Sequence, residues 1–114
     1  MKIYHNTRCR KSRETLSILT ENGCNIEVVE YLKTPLKKEE IKVILKKLDM
    51  IPEELIRKQE KLYKELYKDK VLTQSAYLDI LVKHPILIQR PIVVKDNFAV
   101  LGRPPINVLD LLNK

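Results

Sequence analysis

Apolar and polar residues alternate at the start of the chain, so Lys2-Ile3-Tyr4-His5 reads as a short strand. From Ser12 the spacing becomes helical, with Leu16 and Leu19 recurring toward Gly23, a residue suited to end a helix. Ile26-Glu27-Val28-Val29-Glu30-Tyr31-Leu32 is β-branched and partly alternating, which predicts a second strand. Strand, helix and strand in this order imply two parallel strands joined by a right-handed crossover.

Thr34-Pro35 predicts a helix start, a hydroxyl N-cap with proline at the first helical position. The helix that follows would bury Ile41, Ile44, Leu45 and Leu48 on one face. Pro52 opens a shorter turn holding Leu55 and Ile56, and residues 59–67 form another helix with Leu62, Tyr63 and Leu66 on one side. Thr73 caps a third helix, containing Tyr77, Leu78, Leu81 and Val82. After His84-Pro85 the pattern turns strand-like. Ile86-Leu87-Ile88 and Pro91-Ile92-Val93-Val94 flank Gln89-Arg90, Asp96-Asn97 marks a turn, and Phe98-Ala99-Val100-Leu101 returns as a hairpin. Gly102-Arg103-Pro104-Pro105 forms a rigid corner before a last helix, Ile106 to Leu112, whose Val108, Leu109 and Leu112 pack back. The order predicts an α/β protein with a thioredoxin-like fold and a small mixed sheet. Its core would comprise residues 1–34 and 85–114, interrupted by a helical insertion at 35–84, in a single domain spanning 1–114.

The composition narrows the classes of function. The chain has 114 residues, enough for one domain, and 44% hydrophobic residues fill one modest core. No apolar run approaches the roughly 18 residues that span a bilayer, and no secretory leader is visible. A cytoplasmic protein is expected. The net charge of +7 favours anionic ligands, but most lysines lie in mixed runs such as Lys37-Lys38-Glu39-Glu40, which normally form solvated helix faces. No nucleic-acid motif or basic stripe interleaved with aromatics accompanies the charge, so neither nucleic acid nor membrane is an expected partner. Two cysteines make no disulfide scaffold and no zinc pattern, and no metal is expected.

Cys9 is the residue that changes the picture. It lies between the first strand and the first helix, where unpaired N–H groups and the helix dipole favour negative charge. Arg8, Arg10, Lys11 and Arg13 crowd the same loop and His5 sits just upstream. Cysteines in such surroundings have pKa values lowered from about 8.5 to roughly 3.5–7.5, and the same N–H groups suit an oxyanion. The plainer alternative is an incidental small residue at a turn, which an apolar neighbourhood would favour; this neighbourhood is cationic. Cys24, after Gly23, reads as a buried small residue more readily than as a resolving thiol. Ser12 makes the motif C-x-x-S, so no dithiol cycle can operate within it. Thr15 stands where a phosphatase C-x5-R loop needs arginine. Taken alone, Arg57 and Arg103 read as surface arginines.

The segments Tyr4-His5-Asn6-Thr7-Arg8-Cys9-Arg10-Lys11-Ser12-Arg13, Glu30-Tyr31-Leu32-Lys33-Thr34-Pro35, His84-Pro85-Ile86-Leu87-Ile88-Gln89-Arg90-Pro91-Ile92-Val93-Val94 and Gly102-Arg103-Pro104-Pro105 resemble the glutaredoxin-coupled arsenate reductase family, ArsC-like proteins related to Spx regulators. The resemblance runs over essentially the whole chain. It departs at Thr7, where the family usually has proline, and at Arg10, where it often has glycine. It implies Cys9 as nucleophile, His5 as the histidine that helps lower its pKa, and Arg57, Arg90 and Arg103 as the oxyanion site, with Ser12 and Pro91, matching a cis-proline, structural at the site. Guanidinium forks suit such a dianion because they stay charged and bind two oxygens at once. The resemblance further implies a monomeric oxidoreductase of arsenic detoxification. It would reduce arsenate to arsenite with no bound cofactor, using glutathione and glutaredoxin as external reductants. The alternatives are a glutathione-dependent thiol reductase for another substrate and a non-catalytic Spx-like transcriptional regulator; Ser12 in place of a second cysteine weighs against the regulator.

Overall fold

The computed structural model describes residues 1–114. In chain order its elements are β1 (Lys2–Tyr4), α1 (Arg10–Glu21), β2 (Glu27–Val29), α2 (Lys38–Leu48), α3 (Lys61–Leu66), α4 (Gln74–Lys83), β3 (Ile92–Lys95), β4 (Phe98–Leu101) and α5 (Val108–Leu112). Short 3₁₀ turns at Pro52–Leu55, Pro85–Leu87 and Pro105–Asn107 join them. Contacts divide the chain into two compact units, Met1–Thr34 with Arg90–Lys114, and Pro35–Gln89. No helix is long and apolar enough to cross a membrane.

The first unit holds a four-stranded sheet in the order β2-β1-β3-β4. β1 pairs parallel with β2, antiparallel with β3, and β3 pairs antiparallel with β4. This mixed sheet, with α1 as the connection between its two parallel strands, is the thioredoxin-like arrangement. Ile3, Leu19, Val93, Val108 and Leu111 form the buried core cluster, so α1 and α5 both contribute to it. On α5 the buried residues are Val108 and Leu111, while Leu109 and Leu112 are half-buried. Of the expected Val108, Leu109 and Leu112, Val108 is in the core and Leu112 packs against it, whereas Leu111, not Leu109, is the second buried residue. Cys24 is half-buried against the same cluster. Gly23 takes φ +72°, the left-handed conformation that ends α1. The predicted hairpin is present, with Lys95 facing Phe98 and Asp96 at φ 55°.

Two expected elements are shorter than the sequence suggested. β2 stops at Val29 because the chain turns at Glu30, whose carbonyl accepts from the N–H groups of both Lys33 and Thr34. That turn also removes the expected helix start at Thr34-Pro35. The helix begins at Lys38, where the Lys37 N–H donates to Glu40 Oε1 at 3.2 Å.

In the second unit α4 packs against α2 and against the turns at 52–55 and 85–87. α2 follows the dipole rule, with Glu39 and Glu40 in its first turn and Lys46 and Lys47 in its last. Thr73 caps α4 as expected, its side chain accepting from the Ala76 N–H. Ile86-Leu87-Ile88 is not a strand. Pro85 starts a 3₁₀ turn there, and only Ile88 makes an antiparallel bridge, to Ile56. The Arg57 N–H donates to Leu87 O at 2.7 Å and the Gln89 N–H to Leu55 O at 2.9 Å, so residues 85–89 are laced to 55–57.

Candidate active site

Cys9 is the N-cap residue of α1, with φ −89° and ψ 119°, and it is buried. Its place is set by Asn6, whose carbonyl accepts the Cys9 N–H at 3.0 Å and whose Oδ1 accepts the Arg8 N–H at 3.0 Å. The side chain of Asn6 thus closes a turn that the backbone alone would leave loose. Residues 6–9 deliver the sulfur to the helix start.

Two remote arginines attend the sulfur. Arg103 Nη2 lies 3.4 Å from Cys9 Sγ, while its Nε donates to Arg90 O at 2.6 Å. The Arg103 backbone carbonyl accepts from Asn107 Nδ2 at 3.2 Å, so the main chain that carries this guanidinium is tied as well. Burial pushes the Cys9 thiol up. That effect is outweighed by the Ser12 backbone N–H, by a hydrogen bond from Arg90, and by the charges of Arg90 and Arg103. The net result is a thiol below its ordinary cysteine value, which favours the thiolate.

The cations nearest in sequence act differently from the expectation. Arg8, Arg10, Lys11 and Arg13 are all exposed. Arg10 pairs with Glu14 at 2.9 Å and Arg13 donates to Thr7 O at 2.9 Å. Water screens such charges, so the thiol is lowered by the Ser12 backbone N–H first and then by Arg90 and Arg103, not by these four cations. Their position is still informative: α1 has no acidic residue in its first turn, the reverse of the arrangement in α2 that suits a helix dipole.

His5 reaches the site through Ser12. Its Nδ1 is 2.6 Å from Ser12 Oγ, and both residues are buried. Burial lowers the His5 pKa, Glu30 works against this and Arg13 adds to it; the ring is held below its ordinary value, which favours its neutral form. A neutral His5 is no counter-charge for a thiolate. It fixes the Ser12 hydroxyl, which also accepts the Asn6 N–H at 3.1 Å. His5, Ser12 and Asn6 therefore form one buried network under the Cys9 turn.

Arg90-Pro91 is a cis peptide, as is Arg103-Pro104. The Pro91 ring lies beside Gly102, whose N–H donates to Pro91 O at 2.9 Å. Arg57 belongs to the second unit, where its Nε donates to Glu60 Oε1 at 3.0 Å. No group of three or more His, Cys, Asp or Glu side chains is gathered for a metal.

Cys9 thus stands at a helix start with the Arg103 guanidinium 3.4 Å from its sulfur, Arg90 hydrogen-bonded to it, and its pKa lowered. A family model described as ArsC matches residues 4–111. The chain belongs to the ArsC family. It is 48% identical to the uncharacterized protein YfgD of Escherichia coli strain K12, over 98% of this chain and 96% of that one. It is 44% identical to the arsenate reductase of Neisseria meningitidis strain Z2491, over 95% and 94%. The solved arsenate reductase of Vibrio cholerae matches with a TM-score of 0.90 at 42% identity, covering 96% of this chain and 97% of that one.

Three contributors to this ArsC-type site were not singled out from sequence. Asn6 carries the turn, and an asparagine just before a turn was its visible signal. Thr15, fully buried, donates from Oγ1 to Lys11 O at 2.8 Å and lies within 3.5 Å of Gly102 O. Gly102 is required for space: a Cβ there would meet Thr15 Oγ1 at 2.4 Å and Pro91 Cγ at 2.8 Å. Nothing local in the sequence marks the last two, because their partners lie far along the chain.

Proposed function

We propose that this protein is an arsenate reductase that works through the Cys9 thiolate, with glutathione and glutaredoxin as reductants. The observation that carries the reading is the Arg103 Nη2 to Cys9 Sγ contact at 3.4 Å, joined by Arg90, at the start of α1. Two guanidiniums beside one sulfur would repel each other and lose hydration; the thiolate and an incoming anion offset that cost. In this reading Arg90 and Arg103 bind arsenate oxygens and Arg57 is a further oxyanion-binding arginine.

The cycle begins when Cys9 sulfur attacks arsenic and forms an S–As bond. An As–O bond breaks and the oxygen leaves as water after taking up protons, with arsenic still at +5. A glutathione thiolate then attacks the Cys9 sulfur. As the S–S bond forms, the S–As electron pair passes to arsenic, which departs as arsenite at +3. The thiol of glutaredoxin finally attacks the glutathione sulfur and releases Cys9. Ser12, tied to His5, keeps the Cys9 turn in place through these steps. Such a cycle consumes thiols continuously, which is why the cytoplasm is its proposed location.

The test is arsenate-dependent NADPH oxidation with glutathione, glutathione reductase and glutaredoxin. Cys9→Ser should abolish turnover. Arg90→Lys, which keeps the charge but not the fork, should lower kcat/KM at least about tenfold while the fold survives. Absence of arsenate-dependent oxidation by the intact protein, or full activity of Cys9→Ser, would refute the assignment.

A further inference from the structure

We propose that Glu60 is a positioning residue that pre-sets the Arg57 guanidinium for its oxyanion, an inference that rests on the oxyanion-binding reading of Arg57. The backbone on either side of the pair is fixed. Arg57 N–H is bonded to Leu87 O at 2.7 Å, its carbonyl accepts the Glu60 N–H at 3.2 Å, and the Glu60 carbonyl accepts the Lys64 N–H at 3.1 Å. Glu60 is the N-cap residue of α3, yet its carboxylate makes no capping bond to that helix. It turns back and accepts from Arg57 Nε at 3.0 Å. The neighbouring cations are engaged elsewhere, Lys58 with Glu53 and Lys61 with Glu65.

The Arg57 side chain is only 11% exposed and that of Glu60 25%. Arg57 Nη1 is buried and has no hydrogen-bond partner. Buried guanidinium N–H groups are normally satisfied, so a fork bonded at Nε and empty at Nη1 is built to receive an acceptor the chain does not supply. Arginine is a long, rotamer-rich side chain, and ordering it during binding weakens affinity. Glu60 orders it beforehand. The charge-assisted Nε bond fixes the plane of the fork and leaves the other edge for arsenate.

The experiment compares steady-state kinetics of Glu60→Ala, Glu60→Gln, Arg57→Ala and the Arg57→Ala/Glu60→Ala pair in the coupled arsenate assay. Glu60→Ala should raise KM for arsenate about tenfold with kcat within about twofold, because ground-state and transition-state binding weaken together. Glu60→Gln keeps an oxygen for Nε and should stay within about threefold of the wild-type KM. If Glu60 contributes to arsenate binding by setting the Arg57 fork, the double variant should raise KM no further than Arg57→Ala does. If Arg57→Ala raises KM and Glu60→Ala does not, or lowers it, Glu60 does not position the fork, while the reading of Arg57 stands. If Arg57→Ala leaves KM unchanged, the reading of Arg57 itself fails and this inference with it. Equal losses in Glu60→Ala and Glu60→Gln, matched by equal falls in melting temperature, would reduce Glu60 to a stabiliser of α3.

Discussion

Replacing Gly102 by alanine tests how tightly the site is built. The added Cβ would lie 2.4 Å from Thr15 Oγ1, 2.8 Å from Pro91 Cγ and 3.0 Å from Thr15 Cγ2. None of these atoms can swing away cheaply. Thr15 is wholly buried and its hydroxyl is committed to Lys11 O at 2.8 Å; Pro91 is a buried ring. Overpacking of this kind costs about 1–3 kcal/mol. A chain of 114 residues has an unfolding entropy near ~0.24 kcal/mol/K, so the melting temperature should fall by about 4–12 °C. Activity should fall further than the remaining folded fraction explains, because Gly102 precedes Arg103, whose Nη2 must stay 3.4 Å from the sulfur. Thermal melts followed by circular dichroism, with the coupled arsenate assay at 25 °C, read both effects. Adding Thr15→Ala removes two of the three clashing atoms and should recover part of the lost stability, a coupling that distant substitutions would not show. A Gly102→Ala protein that melts within about 2 °C of wild type and turns over normally would refute the close-packing argument.

Alkylation of Cys9 should level off at lower pH than for an ordinary thiol near 8.5, and Arg103→Ala should move that inflection upward; an unmoved inflection would remove Arg103 from the account. The same depression sets a sign for stability. The folded thiol has the lower pKa, so its contribution is complete above the unfolded value and is lost as pH falls through the folded one, and the advantage of wild type over Cys9→Ser in urea melts should grow from pH 6 to 9. Thr73→Ala deletes the cap that accepts the Ala76 N–H at 3.1 Å; a loss of about 1 kcal/mol, with arsenate KM unchanged, is expected in urea melts.

The elements most legible in the sequence were those specified by near neighbours. Thr73 met the N–H three residues on, Gly23 supplied the left-handed residue after α1, and Asp96-Asn97 turned the hairpin. Misplaced boundaries had competing local signals. Thr34-Pro35 looked like a cap, but Glu30 O captured the Thr34 N–H and Glu40 capped at Lys37. Ile86-Leu87-Ile88 was apolar enough for a strand, yet Pro85 set a 3₁₀ turn and left Ile88 a single bridge.

The chain by itself determined the order of its elements and put a cysteine at a helix start, because strand and helix periodicity and N-capping act over a few residues. It also determined, by family resemblance, which arginines to watch. Only the tertiary structure decided which cations govern the sulfur. The four beside Cys9 in sequence are exposed and screened, whereas Arg90 and Arg103 come to it across the sheet and lie partly shielded from water. Charge acts through distance and solvent exposure, and linear order fixes neither. The same holds for Gly102, whose need for a hydrogen in place of a side chain exists only once Thr15 and Pro91 close around it.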